Sequence, residues 1–199
     1  MRTISKKKIK DDGVYFLGNN ADDVTGSCTY IKYNGKQILL ECGLFQNNDY
    51  LESYKINSAK FEFKPSEINY IFVGHAHVDH VGLIPRLVKE GFKGKIIASH
   101  ATSLLMRSLL LNCAFILGSE ANTLSNRYKR TYSPIYTEDD VYKTFNYIYE
   151  YDDKTKFYIE GKKSEAKDIK VDMVIVKATI VNGVFETLEL DTEVKLEDN

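Results

Sequence analysis

A chain of 199 residues that is 43% hydrophobic is long enough to bury one substantial core, or one domain plus an appendage. Its 27 basic residues against 28 acidic ones leave no overall field drawing it to nucleic acid or to a membrane surface, so any nucleic-acid contact must come from local patches. Cys28, Cys42 and Cys113 are odd in number, widely spaced and without CxxC pairing, which points to free thiols buried in a reducing compartment and so to a cytoplasmic protein. The basic N-terminus "MRTISKKKIK" leads into no apolar stretch of signal-peptide length, and no run approaches the roughly 18 to 20 apolar residues of a membrane span.

The first hundred residues read as strands broken by turns. Segments 14–18, 27–33 and 37–42 are rich in β-branched and aromatic residues, and Asn34-Gly35 between the last two predicts an antiparallel hairpin. "INYIFVG" (68–74) is apolar enough for a strand buried on both faces. "GLIPRLVKEGF" (82–92) reads as a helix with Pro85 in its first turn and Gly91 at its C-terminal cap. Segment 93–99 returns as a strand, so strand, helix and strand predict a parallel crossover within a mixed sheet. From Thr102 the pattern turns helical: 102–113 predicts a buried helix with Leu105, Leu109 and Cys113 on one face, and 119–130 is polar with a basic end. After Pro134, Thr137 and Asp140 resemble a capping box opening a helix over 137–151, with Val141, Phe145 and Ile148 on one face. A polar linker (161–168) then leads to a hairpin around Asn182-Gly183 and an acidic tail.

The strongest chemical signal is "GHAHVDHVG" (74–82), which places three of the four histidines and an aspartate in six positions directly after the strand at 68–73. Residues at i and i+2 of an extended segment point the same way, so His75 and His77 converge on one point while Asp79 and His80 serve a neighbouring one. Two ligand sets imply two metals, and a mixture of imidazole and carboxylate favours zinc. The end of a strand is also where active sites collect in sheets flanked by helices.

"HAHVDH" resembles the HxHxDH motif of the metallo-β-lactamase fold. "VTGSC" (24–28), "LLECGLFQ" (39–46), "HVDHVGLIPRLVKEGFKGKII" (77–97) and "SHAT" (99–102) are similar to its β-CASP branch of RNA-processing nucleases, and 102–141 resembles the start of that branch's cap. The resemblance covers roughly 13–159 and implies hydrolysis of RNA phosphodiesters at a di-zinc centre, the metals about 3.5 to 4 Å apart. Carried over by position, His75 and His77 would bind one zinc, and Asp79 and His80, the residues nearest the chemistry, the other. Glu41 stands where the family has an aspartate supporting the ligands from behind.

The fold expected is therefore α/β: the N-terminal half of a metallo-β-lactamase αββα sandwich with a mixed sheet (1–101), a partial β-CASP-like helical cap (102–160), and a linker with a β-hairpin of unknown origin (161–199). No histidine follows His100, and Asp152, Asp168 and Asp172 lie in no text like the family's bridging-aspartate turn, so half the ligands of a complete site are missing. The expectation is a truncated metal-dependent ribonuclease that binds metal weakly alone. Its partners would be RNA and a second copy or a complementing subunit, with no membrane. The alternative is an inactive remnant that binds RNA or protein. His100 is expected to be structural. Arg107, Arg127, Lys129 and Arg130 are candidate RNA contacts, and the tyrosines of 142–151 are expected to pack rather than to stack bases.

Overall fold

The computed structural model describes residues 9, 11–17, 26–151, 154–159, 161–164, 174–181 and 184–191. Antiparallel strands β1 (Gly13–Leu17), β2 (Cys28–Tyr33) and β3 (Lys36–Leu40) start the fold. Asn34 and Gly35 both take positive φ, 44° and 71°, the conformation a two-residue hairpin needs and that this dipeptide tolerates at low cost. The sheet then turns parallel: β3 pairs with β4 (Tyr70–Val73), and β4 with β5 (Lys95–Ser99), giving the order β1-β2-β3-β4-β5. The hairpin, the crossover and the mixed sheet are as the sequence predicts.

The helices depart from expectation in instructive ways. α1 (Tyr50–Ser58) has no counterpart in the sequence reading, because it carries no apolar stripe and buries only Ser53 and Asn57. Its N-terminus is fixed by the Asp49 carboxylate, which accepts from the N–H groups of Leu51 and Glu52. The single helix expected over 82–92 is two short ones, α2 (Val78–Val81) and α3 (Ile84–Lys89), with Pro85 in the first turn of α3 as predicted. They separate because the Leu83 N–H leaves the helical ladder for the Cys42 carbonyl at 2.9 Å.

The helical region after β5 is one continuous helix, α4 (His100–Tyr128), instead of an apolar and a polar piece. Ser99 caps its N-terminus, accepting from the Thr102 N–H at 3.2 Å. The buried face runs through Met106, Leu110, Cys113, Leu117, Ala121 and Leu124; Leu105, expected to be buried, is 65% exposed. By length and composition α4 could also cross a membrane, contrary to the expectation that no segment approaches that limit. Its packing against the sheet core is how a core helix meets the same criterion. α5 (Glu138–Thr144) opens with the predicted capping box, in which Asp140 accepts from the Thr137 N–H at 3.0 Å. The helix stops at Thr144, and residues expected to extend it form β6 (Ile148–Tyr151), where alternating aromatic residues favour a strand.

Contacts divide the chain into two units at Ile148/Tyr149. In the second, β9 (Val174–Val181) and β10 (Val184–Asp191) form the predicted antiparallel hairpin. β10 also pairs in parallel with β7 (Lys156–Ile159), which pairs antiparallel with β8 (Lys162–Ser164). β8 takes the first part of the segment read as a linker; residues 165–168, the Asn182-Gly183 turn and the acidic tail at 192–199 lie outside the described residues.

In the first unit Leu39, Ile71, Ile84, Leu87, Ile96, Met106 and Leu110 are completely buried, each worth about 1.5 to 3 kcal/mol of transfer free energy. All three cysteines are free and buried, as expected. The neighbouring Cys28 and burial push the Cys42 thiol up, and burial pushes Cys113 up to about 11 against the opposing influence of the nearby Tyr136 hydroxyl. The thiolate is the reactive form. Native Cys42 and Cys113 should therefore resist iodoacetamide at pH 8 and label fully in urea, as read by mass spectrometry; rapid native labelling of either would contradict this packing.

Candidate metal centre

The site begins where β4 ends. Gly74 is anchored from two sides: its N–H donates to Glu41 Oε1 at 2.9 Å, and its carbonyl accepts from Thr102 Oγ1 at 3.4 Å, beside the N-terminus of α4. His75 and His77 follow, with His77 still extended (φ −86°, ψ 150°) as the residue before α2. Their ring centroids are 4.7 Å apart. One turn of α2 carries the His80 ring back to 3.9 Å from that of His75.

A backbone clamp sets where α2 can lie. Glu41 takes the left-handed conformation at φ 64°, which ends β3 and turns the chain toward α2. The Cys42 N–H then donates to the His80 carbonyl at 2.8 Å, and the Leu44 N–H to the Val78 carbonyl at 2.9 Å. The Ser27 N–H donates to the Asp79 carbonyl at 2.7 Å, and the Gly43 N–H to the Ser27 carbonyl at 2.8 Å. Gly43 must be glycine, because a Cβ there would lie 1.6 Å from the Asp79 carbonyl oxygen. Main chain thus packs directly on main chain beneath the histidines.

Donor atoms of Glu41, His75 and His80 come together within 4.8 Å of one another. A tetrahedral cation with bonds of about 2.0 to 2.2 Å holds its donors roughly 3.3 to 3.6 Å apart, so binding would draw the three together by no more than about 1.5 Å. Two atoms here are buried without a hydrogen-bond partner, Glu41 Oε2 and His80 Nδ1, and they face each other at 3.8 Å. Orphaned buried polar atoms are costly. A cation between a carboxylate oxygen and an imidazole nitrogen would satisfy both, so the residues present fit a divalent metal. His80 Nε2 lies 3.4 Å from Asp79 Oδ2. Each imidazole nitrogen of His80 therefore has a carboxylate beside it, one to share a metal and one to take the ring N–H. Burial pushes the Glu41 carboxyl up to about 7, with the Asp79 charge adding and the Gly74 N–H opposing. Burial lowers His80, with His75 and His77 adding and Asp79 opposing, which keeps the imidazole in the neutral form that binds metals.

All four residues of the sequence motif thus meet at one corner, with Glu41 placed among the converging donors where the sequence reading had it behind them. Its left-handed backbone, which swings the carboxylate inward, leaves no mark in the sequence. His100 is exposed at the first position of α4. Arg127, Lys129 and Arg130 sit at the opposite end of that helix, ~40 Å away at 1.5 Å per residue, too far to reach a group held at His75. Arg130 is bonded to Tyr132 Oη at 2.7 Å, and the Arg107 guanidinium lies 4.9 Å from the centre of the Phe145 ring. Tyr142 and Tyr147 make edge contacts with Phe145 and Phe92, in keeping with the packing role expected of them. Beside His77 a groove of about 620 Å³ runs along α4, walled by Leu44, Tyr54, Leu105, Leu109 and Ile116, with Glu120 as the one acidic residue lining it.

The profile of the Metallo-beta-lactamase superfamily matches residues 21–159. The chain belongs to this superfamily. Metal binding is the superfamily's character, and the mixed sheet with a histidine-rich loop at the end of β4 is its fold in this chain. Within the superfamily, the chain is 41% identical over 90 residues to Ribonuclease TTHA0252 of Thermus thermophilus, a match covering 45% of this chain and 20% of that protein. It is 30% identical over 139 residues to Endoribonuclease ysh-1 of Neurospora crassa, covering 69% of this chain and 15% of that protein. These matches agree with the resemblance to β-CASP nucleases read from the motifs. The chain spans a fifth or less of the length of these curated relatives. A solved metallo-β-lactamase of Cronobacter sakazakii, a HARLDQ-motif mutant, aligns at 23% identity and a TM-score of 0.40, covering 72% of this chain and 46% of that one.

The raised Glu41 carboxyl has a signed consequence for the chelator-treated protein. The folded chain holds the Glu41 proton up to about pH 7 whereas the unfolded chain releases it near 4.5, so stability falls as pH rises through that window. Glu41→Gln removes this titration and should stabilise the protein at pH 8 relative to the parent more than at pH 4.5, by an amount on the order of 1 to 3 kcal/mol. An equal effect at both pH values, measured by thermal unfolding in chelator, would contradict the buried carboxyl described here.

Proposed function

We propose that this chain is the metal-binding half of a ribonuclease site, hydrolysing RNA phosphodiesters with zinc as the first-choice metal. The observation that carries the reading is the convergence of Glu41, His75 and His80 around two orphaned buried atoms. The motif residues His77 and Asp79, held on the same loop, complete the proposed ligand set. The names of the relatives supply the substrate class. A divalent cation bound here supplies Lewis acidity toward the phosphoryl oxygens. The chain's own residues do the rest. His75, His77 and His80 offer lone pairs, Asp79 holds the N–H side of His80, and Gly74 fixes the Glu41 carboxylate through its N–H. The compartment proposed is the cytoplasm, where three free thiols persist.

Catalytic zinc sites take three protein ligands and keep an open position. Within these 199 residues every histidine lies at or before His100, so the remaining ligands for a second metal would come from outside them, a second copy or a complementing subunit being the sources proposed. A second reading, in which the three converging donors serve no turnover, is a non-catalytic remnant that binds RNA or protein. Elemental analysis and a labelled-RNA assay separate the two. The first reading expects at least one zinc per chain after dialysis, lost on His75→Ala or His80→Ala, and slow cleavage with added zinc or manganese that disappears in the same variants. Less than one zinc per chain, with no cleavage, would leave only the remnant.

A further inference from the structure

We propose that Asn57 and Arg86 are positioning residues for this site, an inference that rests on reading the site as a metal centre. Neither belongs to the converging donor set. Asn57 is 2% exposed, and its side chain pairs with the main chain of Phe45 in both directions: Oδ1 accepts from the Phe45 N–H at 2.8 Å, and Nδ2 donates to the Phe45 carbonyl at 2.7 Å. The amide acts as a one-residue strand partner for the loop. One residue earlier, Leu44 is bonded to Val78, the first residue of α2. The loop is therefore pinned to α1 on one side and to the histidine-bearing turn on the other.

Arg86 closes the circuit. It lies on α3, directly after α2, and is 6% exposed. Its guanidinium donates to the Asn57 carbonyl, to the Ser58 carbonyl at 3.4 Å and to Glu90 Oε1 at 2.7 Å, and stacks 4.3 Å above the Phe61 ring. The path runs Val78, Leu44, Phe45, Asn57, Arg86 and returns along the chain to Val78. α1 fully buries only Ser53 and Asn57; Leu51 and Tyr54 pack partly buried against α4 and Tyr132, and the polar pins at Asn57 fix its C-terminal end. A nine-residue helix can leave its last carbonyls to water. Covering them with a buried guanidinium ties that helix end to α3, and through Asn57 to the loop that clamps Asp79 and His80.

The test uses Asn57→Ala and Arg86→Met, with Val141→Ala as a core-truncation control of comparable Tm loss. Two readouts are taken: zinc affinity by competition with a chromophoric chelator, and amide resonances of Val78, Asp79 and His80 in chelator-treated protein. Both variants should weaken zinc binding ~10-fold relative to the control, the lower end for residues that support metal ligands. They should also move the three resonances, which Val141→Ala leaves in place. Asn57→Asp keeps the bond from the Phe45 N–H and loses the other, so it should shift them by an intermediate amount and covers the case in which Asn57→Ala fails to fold. Zinc affinity and resonances changed no more than in the control would overturn the proposal. A parent protein that binds no zinc defeats the metal reading alone, and the resonances then decide whether Asn57 and Arg86 hold the turn.

Discussion

The feature on which the rest depends is the contact of Gly43 with the Asp79 carbonyl, main chain against main chain with no room for a Cβ. Because the approach is so close, the N–H groups of Ser27, Cys42 and Leu44 all reach carbonyls of α2, and the short helix is held by backbone bonds that no side-chain rotation can loosen. A four-residue helix has almost no stability of its own. Fixed in this way it presents Asp79 and His80 at a defined angle to His75 and His77, which leave the rigid end of β4. Sheet, loop and helix therefore form one support for the donors.

Electrostatics follow from that support. Glu41 is forced into a left-handed backbone conformation at the end of β3, which aims its carboxylate at the histidines and removes much of it from water. Burial of an acid beside imidazoles, without a cation, leaves Glu41 Oε2 and His80 Nδ1 facing each other unpartnered. Such a corner stores an unmet demand for positive charge. The same burial that raises Glu41 lowers His80, so metal binding would release the Glu41 proton but need remove none from a neutral imidazole. Away from this corner Arg127, Arg130 and Tyr142 of α5 are engaged with aromatic neighbours, so the chemistry is concentrated where β4 ends.

Much of this was legible in the sequence because local rules decided it. Asn34-Gly35 specifies its turn, Thr137 with Asp140 specifies a helix start, and the apolar run before "GHAHVDH" specifies a strand with the histidine cluster at its end, though Tyr70 and Phe72 leave one face only half-buried. The parts that were not legible depend on contacts distant in sequence. α1 has no apolar periodicity and is held by Asn57 and Arg86, residues 29 apart that meet only in the fold. The unbroken course of α4 past its polar half reflects packing of Ala121 and Leu124 against Tyr132, with Leu51 and Tyr54 of α1. The inward turn of Glu41 follows from its left-handed backbone and its bond to Gly74, 33 residues on, which a scan for ligand spacing does not see.

Native-state hydrogen exchange on the metal-free protein tests most directly whether the clamp is part of the rigid core. The amides of Ser27, Cys42 and Leu44 should exchange as slowly as those of Ile71 and Ile96 at the centre of the sheet, through global unfolding alone. Exchange of these three amides orders of magnitude faster than that of the sheet would show a loop that opens on its own, and would contradict a histidine cluster positioned by backbone contact.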